Sequence, residues 1–524
     1  MNKRMALLLL LAPIVAPQKL VGNVQCINPE GDREVKALGK SFFSVRTPFQ
    51  LNSPEFLAGW WYDRLDAKGK ECRNGSLQLV ALGGRSTDSY NLARYFTFNN
   101  SSTLHVAEAN VLTPGKVPDV DISANQLGIY TQNGNFESFV SFTPRYSFGG
   151  LGISYRQEFA QRSDGRAFWF LASAPVLYVK TAMHIKENII NDGGGVATQV
   201  FPDAVIVPNA TEAFAQPLYQ YGKILDTNKA RTALGDVTLL IGYKTVAHDD
   251  YDMNGYIGAL VPTGNKVKGR EVFEAMVGNN HHAGLILGSS SHVTLWECDN
   301  GARLDFEFNA NGQYLFKGKE VRSLDLKNKP WSRYMQMYAD VTDAQAEFAI
   351  DNPYVYTPGI NILTKELNVF PGFSSTSNTA VTFTSACGTK QLELGYNFYA
   401  RQSEHVELAC PWLVGPALKG SYPGGSTDSV QQIGNNYHAN NAVNVNPPFS
   451  VAAYNGTEIQ VTDLDMLSAT HPAIISNTLY VNASYRCEKH EYPRFVSLGG
   501  SYEFEEDNTT LNRWTIWFKG GISF

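Results

Sequence analysis

The feature that most constrains this chain is strict alternation of apolar and polar side chains over long stretches. Between 302 and 316 the even positions are apolar or small and the odd positions are almost all polar, and residues 304–310 read LDFEFNA. An α-helix would spread that pattern around its circumference, whereas a β-strand sorts it onto two faces. The pattern recurs around 146–160, 252–262, 390–404, 477–486, 493–504 and 513–524. An all-β fold is predicted.

The length of these runs and the spacing between them indicate a membrane barrel. Strands of soluble proteins usually have about 5–6 residues, and strands of membrane barrels about 9–11. Short turns such as 162–165 and 298–301 mostly alternate with long connections such as 318–377 and 410–476. Outer-membrane barrels have short periplasmic turns and long outer loops in this order. We predict a transmembrane antiparallel β-barrel of about 14 strands, within a range of 12–16. The N-terminal candidates include 89–98 and either 121–131 or 136–143.

Composition and the N-terminus set further limits. The chain has 43 basic and 49 acidic residues, a net charge of −6, and no basic stripe, which argues against a nucleic-acid partner. A basic start at 2–4 followed by the apolar run 5–16 predicts a secretory signal peptide at 1–22. Residues 23–73 do not alternate and are expected to form a plug or a periplasmic extension. Residues 74–524 are expected to form the barrel.

The C-terminal sequence WTIWFKGGISF gives the chain a resemblance to a known class. It resembles bacterial outer-membrane β-barrels of the porin or transporter kind, whose last strand ends in an aromatic residue after alternating apolar positions. Gly520 departs from that pattern by leaving one outward position bare. The resemblance implies the outer membrane of a Gram-negative-type bacterium, contact with its lipid, and possible homo-oligomers. It also implies an assembly signal read by the barrel-assembly machinery, formed by Trp514, Ile516, Phe518, Ile522 and Phe524.

If the apolar face of each strand meets lipid, the polar face lines the lumen. Both charge signs occur close together on single strands, which is typical of a transverse field across a water-filled constriction. The alternative is that these charges pair with one another inside a plugged barrel. The predicted pore-lining residues are Arg156, Glu158, Lys244, Arg303, Asp305, Glu307, Asn309, Gln391, Glu393, Asn397, Arg401, Arg486, Arg513 and Lys519.

Motifs for covalent chemistry are not found in the sequence. There is no Gly-x-Ser-x-Gly elbow and no His-Glu-x-x-His pair, so no enzyme activity, metal or cofactor is predicted. His282 and His292 share one face but stand ten residues apart, too far for a common metal ion. Six cysteines permit up to three disulfides, whose pairing the sequence does not give.

Three functions follow from these observations. The first is an outer-membrane channel that passes small solutes through a polar lumen. The second is a plugged outer-membrane transporter for hydrophobic compounds, with residues 23–73 filling the lumen. The third is a surface or secreted β-sandwich that binds a partner through its long loops.

Overall fold

The computed structural model describes residues 43–45, 53–59, 74–108, 120–197, 206–248, 250–327, 329–338, 356–413, 415–418, 459–487, 492–505 and 511–524. Its main element is one antiparallel sheet that closes on itself. Twelve strands form the closed ring: β1 Gly75–Ser86, β2 Arg145–Phe159, β3 Phe168–Ala182, β4 Val237–Ala247, β5 Tyr251–Val261, β6 Gly284–Glu297, β7 Arg303–Leu315, β8 Gly372–Thr384, β9 Lys390–Arg401, β10 Ile474–Cys487, β11 Arg494–Glu505 and β12 Arg513–Ser523.

The strands are ordered around the ring as they are along the chain. Each strand pairs with its successor, and β12 pairs with β1 over the register Ser76↔Ser523 to Ser86↔Arg513. The fold is therefore a closed up-and-down barrel, which leaves no strand edge within the ring. The predicted β-sandwich alternative is wrong, because a sandwich requires two separate sheets.

The barrel has twelve strands, at the lower end of the predicted range, because two N-terminal candidates are not barrel strands. The candidate strand at 89–98 is wrong. Ser89–Phe96 is a helix whose N-terminus is capped by the Asp88 carboxylate, which accepts from the amide of Asn91. The candidate at 121–131 or 136–143 lies in a separate four-stranded sheet, formed by Ile122–Ser123, Thr103–Ala107, Glu137–Phe142 and Ile185–Asn191.

The strands are long enough to cross a bilayer, and their outward side is apolar. They contain 11 to 15 residues each, as in β4 and β2. Outward side chains such as Leu151, Leu287 and Ile516 are 54–67% exposed, while their neighbours in sequence point inward and are mostly buried. No helix in the described parts of the chain is both long and apolar enough to cross a membrane.

The two ends of the barrel differ. At one end, here called the turn end, consecutive strands are joined by short connections such as 160–167, 298–302 and 385–389. At the other, the loop end, the connections are mostly long and carry additional strands and helices. By the rule for outer-membrane barrels, the turn end faces the periplasm and the loop end the exterior.

The loop end contains several small structured units. Strand Lys229–Leu234 lies outside the ring and extends the edge of β3. The remaining strands are Gly318–Ser323, Asp325–Leu326, Gln336–Tyr338, Tyr356–Pro358, Thr364–Phe370, His405–Leu408, Ala417–Leu418 and Leu464–Asp465. Short α-helices span Ala210–Ala215 and Gly359–Leu363, and 3-10 turns span Ala124–Leu127, Ser332–Tyr334, Val461–Asp463 and Met466–Ala469. A further short helix, Pro54–Leu57, lies within the N-terminal segment.

Candidate pore and plug

All fourteen sequence-predicted pore-lining residues lie on the inward face of their strands. They occupy the positions that alternate with the exposed apolar ones, as Asp305 and Glu307 do beside Phe306. Lys244, Arg303 and Arg401 are half-buried, and the other eleven are buried: Arg156, Glu158, Asp305, Glu307, Asn309, Gln391, Glu393, Asn397, Arg486, Arg513 and Lys519. That they line a conducting path remains a proposal.

Several of these charges form ion pairs along one strand or between neighbouring strands. Arg156 Nη2 lies 3.3 Å from Glu158 Oε1, and Arg303 Nε lies 3.0 Å from Asp305 Oδ2. Arg513 Nε donates to Glu503 Oε2 at 2.6 Å. The charged side chains therefore partly satisfy one another, as the alternative interpretation of the sequence expected.

Among the interior residues absent from the predicted set, three that form ion pairs are His292, Asp252 and Glu503. His292 lies between two carboxylates, with Nδ1 3.3 Å from Asp252 Oδ2 and Nε2 3.0 Å from Asp305 Oδ1. Glu503 pairs with Arg513. All three share the parity of the inward face on their own strands, so alternation alone could have found them.

The inner wall has more apolar side chains on one side than on the other. Apolar inward side chains are concentrated on β1–β6, and part of them forms a packed cluster of Trp169, Leu171, Leu240, Tyr256, Leu260, Ile286 and, from β7, Leu315. Inward side chains of β8–β12 are mostly hydroxyls, amides and charges, including Thr376, Asn378, Glu393, Asn397, Thr478, Asn482, Ser497, Thr515 and Lys519.

Several buried polar atoms on the polar side have no hydrogen-bond partner among the described residues. They are Asn378 Nδ2, Thr382 Oγ1, Thr384 Oγ1, Ser497 Oγ and Ser523 Oγ. A buried polar group without a partner costs about 1–3 kcal/mol, so such groups are normally satisfied by water or a ligand. These groups make this side of the lumen suited to water and polar solutes.

Residues 53–59 lie inside the barrel against the polar side. Lys519 Nζ donates to the carbonyl of Phe56 at 2.8 Å, and the amide of Gly59 donates to Glu393 Oε2 at 2.7 Å. Gly59 has a φ of +73°, and a β-carbon there would lie within 2.7–2.9 Å of Asn482, Ser484 and Ser497 side-chain atoms. A side chain other than hydrogen would therefore both strain the backbone and collide with the wall.

A polar cavity remains between this segment and the wall. It is lined on one side by Ser53, Pro54 and Glu55, and on the other by Thr376, Asn397, Tyr399, Ser476, Thr478, Ser501, Glu503 and Arg513. A second cavity nearer the loop end also includes Tyr399 in its wall. The two cavities therefore share one buried tyrosine on β9.

The second cavity contains a buried ion network built from three loop-end connections. His282 Nε2 lies 2.7 Å from Glu320 Oε1, and Arg322 Nε lies 2.8 Å from Glu320 Oε2. Arg322 Nη2 also lies 3.3 Å from Glu404 Oε2. Burial favours the neutral acid, but the charge of Arg322 and the hydrogen bond from His282 outweigh it and lower the pKa of Glu320 to about 2.

The predicted assembly signal lies on the outward side of β12 and at its end. Trp514, Ile516 and Phe518 are 40–56% exposed, and Ile522 and Phe524 are half-buried. The Gly75 amide donates to the Phe524 carbonyl at 2.7 Å, and the Phe524 amide donates to the Gly75 carbonyl at 2.9 Å. The Phe524 ring stacks on Tyr155 at a centroid distance of 6.2 Å. The terminus therefore closes the seam of the barrel, and its recognition by assembly machinery stays a prediction.

Within the described residues, no three His, Cys, Asp or Glu side chains are grouped closely enough to hold a metal ion. His282 and His292, whose spacing argued against a shared metal, each form ion pairs with different carboxylates.

These features define the class of the protein. A closed barrel whose long strands are apolar outside and polar inside is a transmembrane β-barrel of the outer-membrane type, because in lipid only closed barrels and helices satisfy all backbone hydrogen bonds. The sequence prediction of an outer-membrane β-barrel is thereby confirmed.

Comparison with known proteins gives distant structural similarity alone. No protein-family profile matches the sequence, and no curated protein matches it. Among solved structures, an outer membrane channel from Pseudomonas putida F1 has 7% identity and a TM-score of 0.36, covering 88% of this chain and 98% of that one. A Pseudomonas aeruginosa FadL homologue has 8% identity and a TM-score of 0.28, covering 93% and 96%. The beta domain of a Bordetella autotransporter has 7% identity and a TM-score of 0.30, covering 87% and 99%. Because these scores are low, the fold assignment rests on the strand pairing of this chain.

Proposed function

We propose that the protein is an outer-membrane channel for small polar solutes, closed at rest by residues 53–59. The observation that carries the proposal is the polar side of the lumen, where hydroxyl and amide groups of β8–β12 are buried without hydrogen-bond partners among the described residues. Such groups favour water or a hydrogen-bonding solute over an apolar one.

The two cavities suggest where the solute passes. One lies beside the segment 53–59 and the other nearer the loop end, and Tyr399 belongs to the wall of both. A path along β8–β12 would therefore run past this side chain. Displacement of the segment 53–59 would widen the path, since the segment supplies one side of the inner cavity.

Transport of hydrophobic compounds is the second candidate. The apolar inward side chains of β3–β7 favour it. However, Leu171, Tyr256 and Ile286 are only 2–6% exposed because they pack against one another, so they offer little free apolar surface. The cavities described above are lined mainly by polar groups, which favours the polar-solute channel.

The test is single-channel recording of the refolded full chain in a planar bilayer, with Lys519→Met as the informative variant. Loss of its hydrogen bond to Phe56 removes about 1.5–3 kcal/mol from the closed arrangement, so the open fraction should rise roughly tenfold or more. The matched control is Lys244→Met, which removes an inward lysine on the apolar side of the wall and should leave the open fraction unchanged.

Liposome swelling with sugars and amino acids of graded size then measures solute passage. Passage of small polar solutes that increases in Lys519→Met supports the proposal. Absence of both conductance and swelling in wild type and variant would refute it. Uptake restricted to apolar compounds would instead support the second candidate.

A further inference from the structure

Arg401 lines the loop-end cavity, and one edge of its guanidinium group has no hydrogen-bond partner among the described residues. Arg401 is the last residue of β9, and its side chain is 11% exposed. Its Nε and Nη2 atoms are buried, and neither has a hydrogen-bond partner among the described residues. Glu404 Oε1 lies 3.8 Å from Nη2, which is an ion pair but too long for a hydrogen bond. The Nε–Nη2 edge presents two parallel donors, the arrangement that binds a carboxylate through both oxygens.

The charged side chains around this guanidinium edge include more cations than anions. His282 Nδ1 lies 2.8 Å from the Phe316 carbonyl and Nε2 lies 2.7 Å from Glu320, so both ring nitrogens face acceptors and the imidazolium form can donate to both. Burial opposes the imidazolium, but the hydrogen bond and charge of Glu320 raise the pKa of His282 above its usual value. Together with Arg322 and Arg401 this makes three cations.

The carboxylates in the cavity are fewer than these cations. Glu320 and Glu404 supply two negative charges, both in contact with Arg322. The remaining histidine is neutral, because burial lowers the pKa of His471 well below its usual value, and its Nδ1 lies 2.6 Å from the Tyr95 hydroxyl. With His282 in its imidazolium form the cavity has a net charge of about +1, and a bound monoanion would balance it.

The wall of the cavity matches a small amphipathic anion. Ser374 and Gln313 supply polar groups, while Met276, Leu315 and Pro371 supply apolar surface in the same cavity. A bare inorganic anion would leave this apolar surface uncovered, whereas a short-chain organic acid would use both parts.

We propose that this cavity binds the carboxylate of small organic monoacids, with Arg401 contacting both carboxylate oxygens through Nε and Nη2. The proposal deepens the channel function and rests on it for its role in transport, since it names the solute class that enters from the loop end. Binding itself can be measured without transport.

The test is ligand-observed saturation-transfer NMR on the refolded full chain in detergent, with butyrate as the probe. Butyramide serves as the neutral analogue and inorganic phosphate as a second anion. Wild type should bind butyrate at least about tenfold more tightly than butyramide, since a charge-assisted bidentate contact is lost with the amide. Arg401→Gln should lower butyrate affinity by about the same factor, and Arg401→Lys, which keeps the charge but not the fork, by less.

The control variant is Arg486→Gln, which removes a buried inward arginine near the turn end and should leave butyrate affinity unchanged. Each variant is first checked for the heat-dependent gel mobility of a folded barrel, and Arg401→Lys carries the test if Arg401→Gln does not fold. Equal affinity for butyrate and butyramide, or unchanged affinity in Arg401→Gln or Arg401→Lys, would overturn the proposal. Phosphate binding tighter than butyrate would overturn the carboxylate assignment.

The two proposals fail separately. Butyrate binding that depends on Arg401 in a protein without conductance would leave the binding site intact and refute the channel. Conductance with no Arg401-dependent binding would do the reverse.

Discussion

At the scale of single residues, inward aromatic rings lie against glycines of the neighbouring strand. Tyr480 on β10 covers Gly395 on β9, and Trp517 on β12 covers Gly499 on β11. A β-carbon at Gly395 would lie 2.1 Å from the Tyr480 ring. The ring can then reach Glu393 Oε1 and Asn378 Oδ1 with its hydroxyl, at 2.9 Å each. The glycine thus determines where a buried hydroxyl is placed.

Gly395→Ala should destabilise the barrel, because the added methyl group displaces the Tyr480 ring and moves its hydroxyl away from Glu393 and Asn378. We expect a loss of about 1–3 kcal/mol, the usual cost of overpacking. Urea unfolding in detergent, followed by tryptophan fluorescence, measures the change. Gly255→Ala is the matched control, since no atom lies within 4 Å of a β-carbon there. Equal midpoints for the two variants would contradict the steric explanation.

Among the larger elements, the segment 53–59 and the C-terminal residue Phe524 contact the barrel in different ways. Residues 53–59 enter the lumen and contact inward side chains of β9–β12, whereas the terminal residue pairs with Gly75 at the seam between β12 and β1. The first contact depends on side chains and the second on backbone hydrogen bonds. One substitution can therefore remove a contact of the segment, whereas it leaves the backbone hydrogen bonds of the seam in place.

Deletion of Phe524 separates an assembly signal from a stabilising contact. The deletion removes two backbone hydrogen bonds at the seam and the stacking on Tyr155, each worth about 1 kcal/mol. If assembly machinery reads this residue, the folded fraction in cell outer membranes should fall severalfold while refolding in detergent changes little. Phe524→Tyr keeps the ring and should behave as wild type. An equal loss in cells and in detergent would assign the residue a structural role alone.

At the scale of the whole molecule, the barrel is covered at its loop end by connections that the ion network holds together. His282 follows β5, Glu320 and Arg322 follow β7, and Glu404 follows β9, so the network joins three connections that are distant in sequence. A buried network of this kind stabilises the contact between these connections when all of its members are charged.

The loop-end arrangement should loosen as the pH rises. The folded-state pKa of His282 is raised above the value of about 6.5 for an unfolded histidine, so its contribution is complete below that value and is lost as the pH rises through the folded-state pKa. Limited proteolysis of the connection at 262–283, followed from pH 6 to pH 9, should show faster cleavage at high pH. His282→Asn should abolish that dependence, and the exposed neighbour variant His281→Asn should keep it. Cleavage rates that do not change with pH in wild type would contradict this account.

Acid should loosen the same network by a different route. The pKa of Glu320 is lowered to about 2, so its contribution is present above the usual pKa of about 4.3 and is lost only as the pH falls towards 2. Between these limits both partners are charged, which places the most stable loop end in the mildly acidic to neutral range.

The alternation in the sequence was enough to predict a barrel and the direction in which its side chains point. Alternation in steps of two residues fixes which side chains face lipid, because a strand has two faces and a slip of one residue would exchange them. All fourteen predicted lumen residues, from Arg156 to Lys519, follow from that parity. The helix at Ser89–Phe96 was missed because its short amphipathic stretch has too few turns to separate from a strand by pattern.

The tertiary structure alone decided which residues come together. Tyr480 and Gly395 are 85 positions apart, and Lys519 and Phe56 are joined over a separation of 463 positions. No local pattern encodes such partners, since they depend on closure of the ring and on where a non-alternating segment enters it. The same holds for the guanidinium group of Arg401. Parity predicts that its side chain points inward, but only the structure shows that Glu404 lies too far away to accept a hydrogen bond from its Nη2. Periodicity is a property of neighbouring residues, whereas pairing and burial are properties of the closed barrel.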